Sequence, residues 1–384
     1  MKKALFLLAF LLSGVVFLHA QMEQHAFIQD HTIDQADSNK LFLSVVNQNI
    51  IKNNEYFNHV TPGYTLLGSQ LNLQLKYYPT KNTMIEGGIH LLYYYGRDKI
   101  DRVMPLIRFS YTPVKGMYII LGNVYGSLYH HFPEPMYKFE RFMEDPPEIG
   151  FQFLYDNDWV HADVYINWRY FLLPDDLSHK EVFTAGISTY VNLLNPKKHR
   201  FQLQIPIQYL YNHQGGQLDT LDQPLTTITN ACFGIRTGYK FSGFVKKVSA
   251  NFYYLTYHDA SGEKRMPFDN GYGLMPEVSA ESKFVNLYAG YWKGHQYIAP
   301  IGQQLFSSVS SRYEYQDDVF PDREMFYFKL DLHHTITKSI YAGIRYEGYL
   351  DLLGNIVGPN DNHYDFSYSI YLNFSHNFFL IRTK

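Results

Sequence analysis

The stretch Glu148–Phe171, EIGFQFLYDNDWVHADVYINWRYF, alternates with a period of two. Ile149, Phe151, Phe153 and Tyr155 interleave with Glu148, Gly150, Gln152 and Leu154. After the turn, Val160, Ala162, Val164, Ile166, Trp168 and Tyr170 interleave with His161, Asp163, Tyr165, Asn167 and Arg169. Successive side chains of a strand point to opposite faces, so each half is a strand with one apolar and one polar face. Asn157-Asp158 suits a tight primed turn, because both residues tolerate positive φ. As a two-residue turn it sets Leu154 opposite His161 and Glu148 opposite Asn167. Strands of soluble sandwiches usually run about five or six residues. The second strand keeps its alternation from Val160 to Tyr170, near the roughly 9–11 residues with which a tilted strand crosses a bilayer.

The N-terminus supports a membrane destination. MKKALFLLAFLLSGVVFLHAQ has two lysines, an apolar core from Ala4 to Leu18 and a small residue, Ala20, before Gln21. This is the pattern of a secretory signal peptide at 1–20, leaving a mature chain from Gln21. Residues 21–40 are polar and aperiodic and read as a flexible periplasmic lead, followed by a single domain over 41–384. The one cysteine, Cys232, excludes a disulfide framework and a cysteine metal site. No later apolar run approaches the length of a helical span, so any crossing is made by strands. Aromatic residues make up 17% of the chain, with 35 Tyr and 29 Phe against 3 Trp. Tyrosine suits strand ends at a membrane interface, where an apolar ring and a wet hydroxyl are both satisfied. A net charge of −3 gives no basic footprint, so no nucleic-acid partner is expected.

Alternating stretches at 41–51, 64–78, 83–96, 103–112, 117–126, 148–155, 159–171, 181–194, 200–212, 226–240, 245–257, 282–292, 305–315, 325–335, 340–350 and 364–379 predict strands. Short links and longer polar ones alternate between them, which is the arrangement of an outer-membrane barrel with turns on one side and loops on the other. The expected fold is all-β, a single transmembrane antiparallel β-barrel of about 16 strands, within a range of 14–18. One segment breaks the alternation: 293–304 is long but falls on the short-turn side. Either it folds into the lumen or strands nearby are missed or invented.

The last strand, YDFSYSIYLNFSHNFF, places Tyr364, Phe366, Tyr368, Ile370, Leu372, Phe374 and Phe378 on one face. It resembles the C-terminal strand of bacterial outer-membrane barrels, which the assembly machinery reads. With the signal, the aromatic content and the loop alternation, the chain resembles porin-like outer-membrane β-barrel proteins such as those abundant in Bacteroidetes. That resemblance implies residence in the outer membrane of a Gram-negative bacterium, contact with membrane lipid and lipopolysaccharide, and a small hydrophilic solute as cargo.

With the apolar face toward lipid, the alternate positions face the lumen. The expected pore-lining residues are Glu86, His90, Arg108, Glu148, His161, Asp163, Asn167, Arg169, Arg236, Lys329, Asp331, His333, Arg345 and Glu347. Mixed charges in a wet pore set up a transverse field that sorts solutes by charge and dipole. A three-residue turn at Thr337–Ser339 sets Asp331 opposite Arg345 and Lys329 opposite Glu347. The segment Ser127–Pro147 is too rich in apolar groups to stay in water, so it is expected to fold inward and narrow the pore. Its charges Glu134, Lys138, Glu140 and Arg141 would stand opposite Arg108 or Arg236, with Arg169 meeting Glu144 or Asp145.

His161-x-Asp163 near Glu148 lacks the third ligand and the orienting neighbour that a metal or catalytic site needs, and His130-His131 before Glu134 reads as a solvated loop. No catalytic residue, metal or cofactor is therefore expected, and the chain is read as a non-enzyme. The primary functional reading is a channel for diffusion of small hydrophilic solutes. The rivals are a receptor, adhesin or assembly partner acting through its long loops, and a barrel enzyme acting on lipid or lipopolysaccharide.

Overall fold

Polar–apolar alternation recurs in strand after strand, and it closes the sheet on itself. The computed structural model describes residues 27, 31–174, 180–216, 225–356 and 363–383; the signal peptide read at 1–20 lies outside the described residues. Among these residues sixteen antiparallel strands form one closed barrel, each paired with its sequence neighbours and the last with the first. The first eight are β1 (Lys40–Glu55), β2 (Tyr64–Thr80), β3 (Thr83–Tyr94), β4 (Arg102–Tyr111), β5 (Met117–Asn123), β6 (Ile149–Asp156), β7 (Val160–Tyr170) and β8 (Val182–Asn192). The rest are β9 (Phe201–Gln214), β10 (Thr226–Lys240), β11 (Val245–Asp259), β12 (Asn270–Ser282), β13 (Val285–His295), β14 (Asp322–Thr337), β15 (Ile340–Asp351) and β16 (Tyr364–Arg382). Ile107, Leu121, Leu287 and Ile370 are exposed on the outer wall, as lipid-facing positions require, while Ser44, Gln48, Gln152, Ser188 and Asn286 are buried on the inner one.

Three details differ from the sequence reading, each for a physical reason. The β6–β7 hairpin pairs Leu154 with Asp163 and Gly150 with Asn167. Asn157 donates its N–H to Val160, and its side chain accepts from the N–H groups of Trp159 and Val160 at 2.7 and 2.8 Å. The tight loop is therefore Asp158-Trp159, and the pairing slips by two residues, which leaves every side chain on its expected face. A strand was missed at β12, whose Gly271, Gly273 and Pro276 read as loop. Pro276 has no N–H to give, and the ladder from β12 to β13 is interrupted between Leu274 and Glu277. The strand expected at 305–315 does not form. Leu305 and Phe306 are both buried in the lumen, which a strand's alternation forbids, and short 3-10 turns occupy Gln304–Phe306 and Tyr313–Tyr315. These two changes dissolve the anomaly at 293–304: the whole connection 296–321 lies on the long-loop side.

In the β14–β15 hairpin Lys329 stands opposite Glu347 and Asp331 opposite Arg345, as the turn length implies. Both pairs are buried on the lumen side, at 3.2 Å for Lys329–Glu347 and 3.5 Å for Arg345–Asp331. The lumen itself holds the apolar core. A large buried cluster joins Phe132, Met136 and Tyr137 from the 124–148 connection to Tyr297, Ile301, Leu305 and Phe306 from 296–321 and to wall aromatics such as Tyr253, Trp292 and Tyr327. Tyr165 lies across Gly186 of the neighbouring strand, where a Cβ would come within 2.4 Å of the ring; the glycine makes room for the aromatic. Phe27, in the segment read as a flexible lead, is buried against Phe139, Phe142 and Tyr371.

Candidate functional site

Two places in the barrel hold more polar groups than the architecture needs: the lumen, and one strip of the outer wall. In the lumen, the connection 124–148 carries Pro133, Pro135, Pro146 and Pro147, which withhold N–H donors and prevent a long helix. Only two short helical turns form, a 3-10 turn at Ser127–His130 and a single α-helical turn at Arg141–Glu144. The segment crosses the barrel and is anchored on several walls. Tyr190 of β8 donates to the carbonyl of His131 at 2.5 Å, Lys329 of β14 pairs with Glu134, and Lys52 of β1 meets Glu140 at 2.6 Å. Further on, Tyr94 donates to the Met143 carbonyl at 2.8 Å and Arg102 to that of Glu144 at 3.0 Å. The connection 296–321 lies against it, with Lys138 N–H donating to Ile301 and Gln303 N–H to Glu134, both at 2.9 Å.

The charges expected to line an open pore face the lumen, and most are bound to one another, to neighbouring wall groups or to this segment. Glu86 holds Arg108 at 2.7 Å and Lys76 at 3.0 Å. Glu347 is shared by Lys52 at 2.8 Å and Lys329. His90 bonds Asn72 at 2.7 Å, Asn167 accepts from the Ile149 N–H at 3.1 Å, and His333 lies 3.3 Å from Asp331. Arg169 comes within 3.7 Å of Asp145. The segment's own charges do not pair with Arg108 or Arg236, although Glu134 lines the same cavity as Arg236. Arg108 is occupied by Glu86, and Arg236 lies over the Tyr190 ring. Glu134 and Glu140 instead meet Lys329 and Lys52, while Lys138 pairs with Glu144 at 2.8 Å and Arg141 with Asp145.

Sequence reading grouped His161, Asp163 and Glu148; the structure gives the two carboxylates to His130. Its Nδ1 lies 2.7 Å from Asp163 and its Nε2 3.0 Å from Glu148, and its ring stacks on Tyr165 at 3.5 Å. With both nitrogens occupied, His130 is a buried cation that fastens the segment, and it has no lone pair for catalysis. Burial opposes its charge, but Asp163 and Glu148 outweigh that and raise its pKa to about 9. Beside it, burial, with His161 and Arg236, holds His131 down to about 3. His161 bonds Asp156 at 2.5 Å.

These opposite shifts give an expected pH profile. Below about 6.5 the unfolded chain protonates His131 and the folded one does not, so stability falls toward acid. Above 6.5 the folded chain keeps the His130 proton that the unfolded chain has lost, and the contribution fades as pH rises through 9. Urea unfolding in lipid vesicles should therefore show a loss of about 3 kcal/mol between about pH 6.5 and 9 that is absent in His130→Gln. An alkaline limb that survives in the variant would exclude this assignment.

The second place was not legible in advance. On β1 the inner face carries Val46, Gln48, Ile50, Lys52 and Asn54, all buried. Alternation therefore puts Asn47, Asn49, Asn53 and Glu55 on the outer wall, among lipid-facing positions such as Ile51 and Ile370. These side chains bond along the wall. Asn47 donates to Ser69 Oγ at 2.9 Å and to the Gln70 carbonyl at 3.0 Å. Asn49 donates to Asn47 at 2.7 Å and to the Leu372 carbonyl at 2.9 Å, and accepts from Tyr95 at 3.2 Å. Higher on the strand, Asn53 accepts from Thr65 at 2.7 Å and donates to Glu55 at 2.5 Å and Tyr368 at 3.2 Å. Polar groups facing hydrocarbon are costly and mark function by default. This strip can hold a polar part of a lipid against the wall. Ser69 receives a hydrogen bond but donates none among the described residues, so its O–H is available to a ligand's oxygen.

A family model described as lipid A 3'-O-deacylase-type matches residues 33–383. No curated protein matches the chain. Among solved structures, the outer membrane protein opdK from Pseudomonas aeruginosa aligns with a TM-score of 0.52 at 9% identity, covering 89% of this chain and 100% of that one. A loop L8 deletion mutant of OmpT, an outer membrane protein of Vibrio cholerae, aligns at 0.50 and 11% identity, covering 88% of this chain and 99% of that one. A high-pH structure of Pseudomonas putida OprB aligns at 0.50 and 7%, covering 88% of this chain and 94% of that one. At such identities the likeness shows the outer-membrane barrel fold alone. The match to an enzyme family over nearly the whole chain corrects the reading of this protein as a non-enzyme. That reading rested on finding no motif of regular spacing, and a site spread over the outer wall of neighbouring strands has none.

Proposed function

Because the chain belongs to the lipid A 3'-O-deacylase-type family, we propose that it is an outer-membrane enzyme that hydrolyses a fatty-acyl ester of lipid A. We further propose that it meets this substrate on the outer wall of β16, β1, β2 and β3. The family match over residues 33–383 carries the reading. The wall strip supports it, since a membrane-anchored substrate can reach Asn47, Asn49 and Ser69 without leaving the bilayer, whereas 124–148 and 296–321 lie across the lumen. In the reaction, water adds to the ester carbonyl, the acyl C–O bond breaks, and the freed sugar hydroxyl takes a proton. The Ser69 O–H is placed to donate to the carbonyl oxygen as it gains negative charge, while Asn47, whose two N–H donors are taken by Ser69 and the Gln70 carbonyl, holds the serine in position.

In this reading the protein resides in the outer membrane of a Gram-negative bacterium, matured at Gln21, with its long connections outward and its C-terminal strand engaging the assembly machinery. A diffusion channel is the weaker reading, because 124–148 and 296–321 occupy the lumen. Purified protein incubated with lipid A in mixed micelles should yield lipid A lighter by one acyl chain in a mass spectrum. Ser69→Ala should slow that conversion by roughly 100-fold or more, the usual cost of one lost oxyanion donor. An unchanged lipid spectrum from folded wild-type protein would refute the enzymatic reading, and full activity in Ser69→Ala would move the site elsewhere.

A further inference from the structure

A cavity of about 350 Å³ lies in the lumen below the inward segment, within the size class of small-molecule sites. Gln204 and Lys247 at its lower edge sit close to the short turns 193–200 and 241–244, so it opens toward the periplasm-facing mouth. Phe132 and Phe306 roof it.

The charged groups on its wall are unequally satisfied. Glu277 accepts from the Tyr327 hydroxyl at 2.7 Å, and Glu281 is paired with Lys247 at 3.3 Å. Arg236 has no carboxylate within salt-bridge distance among the described residues. Its guanidinium lies 4.7 Å over the Tyr190 ring, and its buried Nε has no hydrogen-bond partner. On the other side of Tyr190, with ring centroids 6.1 Å apart, stands His161. Its Nδ1 is taken by Asp156, and its buried Nε2 has no partner. Two unsatisfied nitrogens thus flank one aromatic ring on the wall of a cavity whose acids are already engaged. Buried polar atoms without partners are uncommon, and the two residues that carry them both line the cavity.

We propose that this cavity binds a small amphipathic monocarboxylate entering from the periplasmic mouth. The carboxylate takes the Arg236 fork, which matches two oxygens in one plane. The apolar body lies against Phe132, Met275 and Phe306. This inference is independent of the reading of the outer wall.

The test is isothermal titration of the full-length protein in detergent with 3-phenylpropanoate, against 3-phenylpropan-1-ol and inorganic phosphate. Saturable binding of the carboxylate and of neither control is expected. Arg236→Gln should weaken it roughly 10- to 100-fold, the range for one charge-assisted contact, and Arg236→Lys should lose less. Gln204→Trp, which fills the mouth from the position paired with Arg236 on β9, should abolish binding, and it keeps the test informative if Arg236→Gln fails to fold. A flat titration of the wild type, equal binding of the alcohol, or unchanged affinity in Arg236→Gln or Gln204→Trp would overturn the proposal.

Discussion

Lys52→Met is expected to lower the unfolding free energy by about 3–5 kcal/mol, the cost of leaving a buried charge without its partner. Lys52 is 1% exposed and lies between Glu140 at 2.6 Å and Glu347 at 2.8 Å, both as deeply buried. Methionine fills much the same space but leaves two carboxylates with reduced compensation; Lys329 remains beside Glu347 only. Glu140 suffers most, because Lys52 is its direct ion-pair partner. Adding Glu140→Gln to Lys52→Met removes one orphaned charge and should recover part of the loss, which a double-mutant cycle reads directly. The measurement is the urea midpoint in vesicles, with the temperature at which the compact electrophoretic band converts to the unfolded one as a second readout. A loss under about 1 kcal/mol would mean that water reaches these carboxylates, since exposed pairs contribute no more than that.

Deleting Pro133–Met143 is expected to turn a poorly conducting barrel into an open one. Barrels of about 16 strands enclose an aqueous channel unless something fills them. Here the filling is the 124–148 connection with 296–321 held against it through Ile301 and Gln303. The deletion removes Glu134 and Glu140 together with Lys138 and Arg141, so the net charge of the lumen is unchanged, and Glu347 stays with Lys52 and Lys329. Planar-bilayer recordings would show small currents for the intact protein and large ones for the deletion. Equal conductance from a correctly assembled deletion would place the obstruction in 296–321 alone.

What could be read in advance follows from the range of the interactions involved. Alternation is local, so the lumen and lipid faces of β6, β7, β14 and β15 were legible residue by residue, as were the Lys329–Glu347 and Asp331–Arg345 pairs, which needed only a turn length. The inward course of 124–148 was legible because Phe132, Met136, Tyr137 and Phe139 require burial. Its destination was not, since Lys52 and Lys329 come from strands far off in sequence. β12 was hidden by Gly271, Gly273 and Pro276, whose turn preferences hold only where the neighbouring strand makes no demand on their backbone. The outer-wall strip was hidden for a different reason. Asn47, Asn49 and Asn53 alternate with Gln48, Ile50 and Lys52, so polarity occurs on both faces of β1, and a binary pattern cannot say which side of the wall an asparagine occupies.

The aromatic cluster around Phe27 implies an order of assembly. It joins the leading segment to Phe139 and Phe142 of the inward connection and to Tyr371 of the final strand. The seam where β1 meets β16, with Lys40 opposite Arg382, links the two ends of the barrel domain, and closing a chain of that length costs about 5 kcal/mol of configurational entropy. Until the seam forms, Tyr371 is not in place and the interior cannot complete its packing. The inward connection should thus remain open to proteases through every earlier stage of insertion and become resistant in the same step that closes the ring.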